Sequence, residues 1–182
     1  YPQVHRASGE LKIPIENLNQ QYIMMFMPST SFNDERKYAA IAVNSILGDS
    51  DGSRFHWALV DSGLAEQAST SVDIHDGYGD QLAWAICQPG HGSQVIDLMK
   101  SEMSNISNTL TQDDLDKVKA KAATEMAMRS ERPAGRMKRL GSMITMNGKY
   151  ESLIDESLID ESLVSPIDVS LIKLESLASV ES

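Results

Sequence analysis

Two runs of alternating apolar residues, separated by a turn-rich segment, constrain the fold of this chain more than any other feature. Ala68, Thr70, Val72 and Ile74 alternate with polar residues, and Leu82, Trp84 and Ile86 alternate with small residues further along the chain. Between them lies His-Asp-Gly-Tyr-Gly-Asp, residues 75–80, whose composition is typical of a turn. Period-two alternation on both sides of a turn predicts an antiparallel β-hairpin with a loop of about four to six residues.

The second strand of this hairpin has small apolar residues between its large ones, namely Ala83, Ala85 and Cys87. A sheet must bury its apolar face against another layer, and small side chains suit close packing by helices. We therefore expect helices to cover this face of the sheet.

Two more strands are predicted near the N-terminus, over residues 10–15 and 20–27. The second is an almost continuous apolar run, which is typical of a strand buried on both faces. Pro28 and Ser29 are expected to end it, because proline interrupts the hydrogen bonding of a strand.

Helix start and stop signals account for most of the remaining chain. Asn33 is a good N-cap for the first helix, and Gly48 marks its end. Further helices are predicted over residues 53–61, 92–108, 111–130 and 133–147, and a last one begins at Ser165. Hairpin strands with helices grouped between them indicate an α+β fold, an antiparallel-rich mixed sheet with helices packed on one face. We expect residues 1–182 to form a single domain of this kind.

The composition of the 182 residues excludes several classes of protein. A single cysteine cannot form a disulfide framework or a cysteine-built zinc finger. The net charge is −10, from 16 basic and 26 acidic residues, whereas proteins that bind nucleic acid carry basic faces. No apolar run approaches the ~20 residues of a membrane span. We therefore expect neither a nucleic-acid partner nor a membrane partner.

The sequence offers no constellation of residues for catalysis or metal binding. No two of its four histidines stand four residues apart, as a helical zinc site requires. Cys87 lies in a predicted strand without an adjacent base, which indicates a core cysteine. Gly90-His-Gly92 follows a strand and opens a helix, but another helix comes next instead of the second parallel strand of a dinucleotide site. We predict no catalytic residue and no metal ligand in this chain.

One basic cluster stands out on this acidic chain: Arg129, Arg132, Arg136 and Arg139. One interpretation is a helix face that pairs with nearby glutamates or with residues 151–182, which contain eight acids and one base. The other is a contact with a neighbouring domain or with an acidic segment of a substrate. Both alternatives remain open from the sequence.

Several motifs resemble, in order, the non-zinc, C-terminal-type domain of the pitrilysin/insulinase metallopeptidases and mitochondrial processing peptidases. That domain has an apolar strand after a Gln, a helix ending in Leu-Gly, a Ser-Arg element, a Gly-Leu-Ala turn, a Leu-Thr-x-x-Glu-Leu helix start and a closing Val-Thr-x-x-Asp-Val helix. The matching residues here are Gln21, Leu47-Gly48, Ser53-Arg54, Gly63-Leu64-Ala65, Leu110-Thr111-x-x-Asp114-Leu115 and Val164-Ser165-Pro166-x-Asp168-Val169.

The resemblance implies a domain that has no catalytic residues and no zinc ligands of its own. The zinc and the general base of the family come from a His-x-x-Glu-His motif in a different domain, and that motif is absent here. Catalytic assemblies of the family also use an Arg and a Tyr from this type of domain to hold the substrate. The positions that match them are Val60 and Glu66, and Arg54 belongs to the Ser-Arg element instead.

From this resemblance we expect a non-catalytic structural domain that encloses the substrate of a zinc metallopeptidase. The chain would be a segment excised from a larger peptidase-like protein, with zinc held in a separate domain and no cofactor of its own. The implied partners are homologous peptidase domains, in cis or in trans, and a peptide or unfolded-protein substrate, in a bacterial cytoplasm or periplasm. The alternative is a stand-alone α+β domain for protein binding or subunit assembly.

Overall fold

The computed structural model describes residues 9–49 and 51–147. The predicted helix from Ser165 lies outside the described residues. The elements, in chain order, are β1 (Gln21–Ser29), α1 (Lys37–Gly48), a short π-helix (His56–Val60), β2 (Gln67–Ile74), β3 (Gly79–Cys87), α2 (Gly92–Thr109), α3 (Gln112–Glu131) and α4 (Pro133–Asn147). No helix among these residues is long and apolar enough to cross a membrane.

The three described strands form one antiparallel sheet with the order β1-β3-β2. β2 and β3 are joined by the predicted hairpin, and its loop is closed by a 2.9 Å hydrogen bond from the His75 N–H to the Tyr78 carbonyl. The chain that follows β1 passes close to Gly79 at the start of β3. A Cβ at this position would lie 1.9 Å from the Thr30 carbonyl oxygen, so the close approach requires glycine. The α+β prediction, with an antiparallel sheet covered by helices on one face, is confirmed.

Residues 10–15 do not form the predicted strand, so that prediction is wrong. The segment is irregular and Leu11, Ile13 and Ile15 are exposed. Pro14 has no N–H to donate to a neighbouring strand, and Asn17 adopts a left-handed backbone with φ of 64°. Apolar alternation alone therefore does not make a strand where the backbone lacks a partner.

β1 differs from its prediction in its length and in its burial. It continues through Pro28 to Ser29, which an edge strand tolerates because one side of its backbone needs no partner. Ile23 faces the helices and is buried, whereas Tyr22, Met24 and Phe26 on the other face are exposed. The prediction that this strand is buried on both faces is wrong, because the helices among residues 9–49 and 51–147 pack on one face only.

Helix α1 is held against β2 by side chains of the strand. The hydroxyl of Thr70 donates to the Asn44 carbonyl at 3.0 Å, and that of Ser69 donates to the Gly48 carbonyl at 2.6 Å. The Gly48 carbonyl lies in the last turn of the helix, where carbonyls have no partner within it, and the Asn44 carbonyl lies one turn earlier. A Cβ on Gly48 would lie 2.8 Å from the Thr70 N, so the close approach requires glycine.

The core lies between the small inner face of β3 and the helices, as predicted. Ala83, Ala85 and Cys87 are buried on the strand. The largest fully buried side chains come from α1, the short π-helix with its preceding turn, and α2: Leu47, Phe55, Leu59, Val95, Met99, Met103 and Ile106.

Replacing Phe55 with alanine should lower the free energy of unfolding by about 3–5 kcal/mol, because removing a large buried side chain leaves a cavity. The ring of Phe55 is 0% exposed, whereas Phe26 is 72% exposed. Phe26→Ala is thus the matched control, and it should cost less than about 1 kcal/mol. Urea denaturation followed by circular dichroism measures both values. Equal losses in the two variants would contradict this placement of the core.

Candidate functional site

The histidines are spread over separate parts of the fold. His56 lies in the short π-helix, His75 in the hairpin loop and His91 in the loop before α2, while His5 lies outside the described residues. Within residues 9–49 and 51–147, no group of three or more His, Cys, Asp or Glu side chains could hold a metal ion. The absence of a metal site from the whole chain remains a prediction.

Cys87 is a buried free thiol at the end of β3. Burial raises the pKa of this thiol, and the negative charge of Glu66 raises it further. A raised pKa disfavours the thiolate, which is the form that acts as nucleophile or metal ligand. The interpretation of Cys87 as a core cysteine is confirmed.

The Gly90-His-Gly92 segment joins β3 to α2 without forming a dinucleotide site. A Cβ on Gly92 would meet the side chain of Gln21, so this glycine is explained by contact with protein. α2 leads into another helix, and all three described strands are antiparallel. The crevice that receives a dinucleotide needs parallel strands on either side of a crossover, and this sheet has none.

Arg54, in the Ser-Arg element, joins two parts of the fold. Its guanidinium donates to the hydroxyl and, at 2.8 Å, to the carbonyl of Thr109, and it pairs with Asp114 at 3.5 Å. Arg54 therefore ties the segment before the short π-helix to the turn between α2 and α3. This placement agrees with the interpretation that Arg54 is not a substrate-holding arginine.

Asp114 belongs to the predicted cap of α3, which is confirmed. The Thr111 N–H and hydroxyl donate to the carboxylate at 3.0 and 2.8 Å, and the Asp114 N–H donates to the Thr111 hydroxyl at 3.2 Å. Burial raises the pKa of Asp114, but the hydrogen bonds from Thr111 and the charge of Arg54 outweigh it. Together they hold the pKa of this carboxyl below its usual value.

Val60 and Glu66 occupy the positions at which the resemblance implies a substrate-holding Arg and Tyr. Val60 is half-buried at the end of the short π-helix, and Glu66 is exposed just before β2. The Glu66 carboxylate accepts a hydrogen bond from the Gln20 side chain, and both line an open cleft of ≈ 510 Å³ together with Gln88. One carboxylate among amides offers no nucleophile–base pair.

The structure places two of the four arginines of the basic cluster on the surface near the junction of α3 and α4. Arg132 and Arg136 are exposed, and the Arg136 N–H donates to the Arg132 carbonyl at 3.1 Å. Arg129 lies near the end of α3 and Arg139 within α4, but their side chains are outside the described part of the structure. A role of this cluster in contacts with another domain or with substrate remains a prediction.

The sequence reasoning missed a surface on the face of the sheet opposite the helices, which we call the apolar sheet face. Cross-strand register aligns three pairs of large side chains there: Tyr22 with Ile86, Met24 with Trp84 and Phe26 with Leu82. The β1 members are exposed and the β3 members are half-buried. The sequence showed the alternation of Leu82, Trp84 and Ile86. It did not show that the outer residues of β1, the strand beside them, are exposed.

Comparison with known proteins gives concordant matches. The family model of the peptidase M16 inactive domain matches residues 1–122. An uncharacterized zinc protease from Streptomyces coelicolor is 24% identical over 174 residues, which are 94% of this chain and 38% of that protein. The chain therefore spans well under half of this relative.

Solved structures share the fold at low sequence identity. A protease from Helicobacter pylori superposes with a TM-score of 0.73 and 16% identity, over 85% of this chain and 37% of that one. An inactive peptidase domain from Bordetella parapertussis gives a TM-score of 0.69 and 16% identity, over 83% of this chain and 81% of that one. The second match shows that this fold occurs as a unit of similar size.

Asp114→Asn should lower the free energy of unfolding by about 1 kcal/mol at pH 7, because it removes the charge that caps α3 and pairs with Arg54. The pKa of Asp114 is lower in the folded chain than in the unfolded one. Its stabilising contribution is therefore present above about pH 4 and is lost as the pH falls through the folded-state pKa.

Denaturation of the wild type and Asp114→Asn at a series of pH values measures this effect. The two stabilities should converge in acid, while Asp97→Asn, at an exposed carboxylate on α2, should follow the wild type throughout. A stability difference between the wild type and Asp114→Asn that stays constant at every pH would contradict the role of the charge.

Proposed function

Because the chain belongs to the peptidase M16 inactive-domain family, we propose that it is the non-catalytic, substrate-enclosing domain of a zinc metallopeptidase whose zinc lies in another domain. The resemblance found in the sequence is thereby confirmed. The observation that carries the proposal is the match of the inactive-domain family over residues 1–122. Val60 and Glu66, at the positions to which the resemblance assigns substrate holding, support it because they lack the groups for that role.

The relatives support the placement of zinc elsewhere. The Streptomyces relative is named as a zinc protease, and this chain matches 38% of it. The remainder of such a protein has room for a second domain with the zinc ligands. Attack of a zinc-bound water on a peptide bond would then occur in that domain, and this domain would supply a wall of the chamber.

The partners of the domain follow from this proposal. They are homologous peptidase domains, in cis or in trans, and a peptide or unfolded protein as substrate of the parent. The bacterial origin of the relatives supports a bacterial cytoplasm or periplasm as the compartment.

A second candidate function is a stand-alone domain for protein binding or subunit assembly. The apolar sheet face favours it, because contiguous exposed apolar surface marks sites of protein contact. Stable self-association of the isolated chain, measured by sedimentation, would favour this candidate over the first.

The isolated chain of 182 residues should contain no stoichiometric zinc after purification and should not cleave an unfolded protein. Elemental analysis and a fluorogenic casein assay measure these two properties, with the parent protein as the active control. Tight zinc binding by this chain, or cleavage that a chelator abolishes, would overturn the proposal.

We also propose that Arg129, Arg132, Arg136 and Arg139 contact the neighbouring domain or an acidic segment of the substrate. Arg132→Ala combined with Arg136→Ala should leave the free energy of unfolding of the isolated chain within ~0.5 kcal/mol of the wild type, because both residues are exposed. In the parent protein the same pair should lower kcat/KM several-fold for an acidic peptide, in a manner that salt weakens.

Lys100→Ala is the matched control, because Lys100 is an exposed base on α2 away from the cluster. Equal kcat/KM in the double variant and the wild type at low salt would show that the cluster makes no such contact.

A further inference from the structure

The open cleft of ≈ 510 Å³, which we call the Glu66 cleft, lies where the ends of the three described strands meet. β1 and β2 begin there and β3 ends there, because both outer strands are antiparallel to β3. The lining residues come from the segment before β1, the residue before β2 and the segment after β3: Leu18, Asn19, Gln20, Glu66, Gln88 and Pro89. The hydrogen bond from the Gln20 side chain to the Glu66 carboxylate therefore joins the two outer strands across the end of the central one. The volume is ample for one long side chain.

Glu66 is the only charged residue that lines this cleft. Within residues 9–49 and 51–147, its carboxylate accepts a single hydrogen bond, from the neutral amide of Gln20, and pairs with no Lys, Arg or His. A carboxylate offers about four acceptor positions, so this bond uses a small part of its capacity. The charge also acts on Cys87 at the end of β3, where burial and then Glu66 raise the pKa of the thiol. The cleft therefore has a negative charge that no described basic residue neutralises.

The groups that line the cleft define the chemistry of its ligand. An ionised carboxylate can only accept hydrogen bonds, so the ligand must donate them, and a positive charge strengthens the contact. The amides of Gln20 and Gln88 add carbonyl oxygens that also accept. A guanidinium group has five N–H donors in one plane and can reach several separate acceptors, whereas an ammonium group is a compact point charge. Leu18 and Pro89 offer apolar surface to the methylene stem of such a side chain.

We propose that the Glu66 cleft binds the arginine side chain of a peptide, with the Glu66 carboxylate as its counter-ion and the amides of Gln20 and Gln88 as further acceptors. This contact differs from the one that the resemblance assigns to this position. An Arg or a Tyr would donate to the substrate, whereas Glu66 accepts from it. The inference rests on the proposed function in one respect, that the peptide is a segment of the substrate enclosed by the parent protein.

The test is a titration of the full 182-residue chain with a short alanine peptide that has one arginine at its centre. Nitrogen–proton correlation spectra follow the side-chain amide signals of Gln20 and Gln88, which should both move. We expect a dissociation constant of about 1 mM in dilute buffer, as for a single charged contact. The matched peptide has citrulline, which has the shape of arginine without its charge. It should bind at least about tenfold more weakly, and salt should reduce the difference.

Two variants locate the site. Glu66→Gln keeps the size of the side chain and an acceptor for Gln20 but removes the charge. It should weaken the binding of the arginine peptide about tenfold and make the arginine and citrulline peptides bind alike. Gln88→Ala is a second variant, which should weaken binding about twofold to threefold because it removes a neutral acceptor. Glu35→Gln is the matched control and should bind as the wild type does, since Glu35 is an exposed glutamate beyond the other end of β1.

Each contrary outcome overturns the proposal. Equal binding of the two peptides by the wild type removes the role of the charge, and unchanged binding by Glu66→Gln places the arginine elsewhere. Signals of Gln20 and Gln88 that stay fixed throughout the millimolar range show that the cleft is not the site. In the parent protein, Glu66→Gln should lower the ratio of kcat/KM for the arginine peptide to that for the citrulline peptide several-fold. If the isolated chain binds as expected while this ratio is unchanged, the proposed function fails and the binding site stands.

Discussion

The packing of β3 is the constraint on which the rest of the structure depends. β3 is the central strand, so its backbone holds both β1 and β2, and its side chains set what can lie on each face. The inner positions Ala83, Ala85 and Cys87 are small and fully or almost fully buried, which allows the helices to approach the backbone closely. The large residues of the strand point the other way, where no described helix covers them. The alternation of small and large residues along β3 thus places a buried core on one side of the sheet and the apolar sheet face on the other.

Local signals in the sequence predicted several elements whose determining interaction is local, but not the start of α1. This helix begins at Lys37 with Arg36 at its N-cap position and no side-chain cap, so the prediction that Asn33 caps it is wrong. The turn of the hairpin, the cap formed by Thr111 and Asp114, and the start of α4 at Pro133 were all predicted, because each depends on residues within one turn of chain. Residues 10–15 and the outer face of β1 were predicted wrongly, because strand pairing and burial depend on a second layer that is distant in sequence. The structural role of Arg54 could not be predicted for the same reason, since Thr109 is 55 residues away.

The chain around the short π-helix is held by contacts that do not involve the side chains of Val60 and Glu66. Arg54 anchors the chain before this helix to the α2–α3 turn, and Leu59 is fully buried within it. Both contacts concern stability, and neither involves the exposed side of the helix. The side chains of Val60 and Glu66 take part in neither contact. The contacts that hold this part of the fold are therefore separate from the positions to which the resemblance assigns substrate holding.

The area of the apolar sheet face limits how tightly it can bind a free peptide. At about 200 Å² for a large side chain, the exposed parts of Tyr22, Met24 and Phe26 come to roughly 400 Å². Covering roughly 400 Å² of apolar surface releases on the order of 10 kcal/mol at about 25 cal/mol per Å². Association of a free peptide costs about 4–15 kcal/mol in lost translational and rotational freedom, so the net affinity for a peptide in solution is small. A segment that other contacts hold beside the face would meet it at an effective concentration in the ~mM range, so most of this loss of freedom would already have occurred. A surface of this size therefore suits weak contacts with a segment that other contacts already hold beside it, and it does not suit the capture of a peptide from solution.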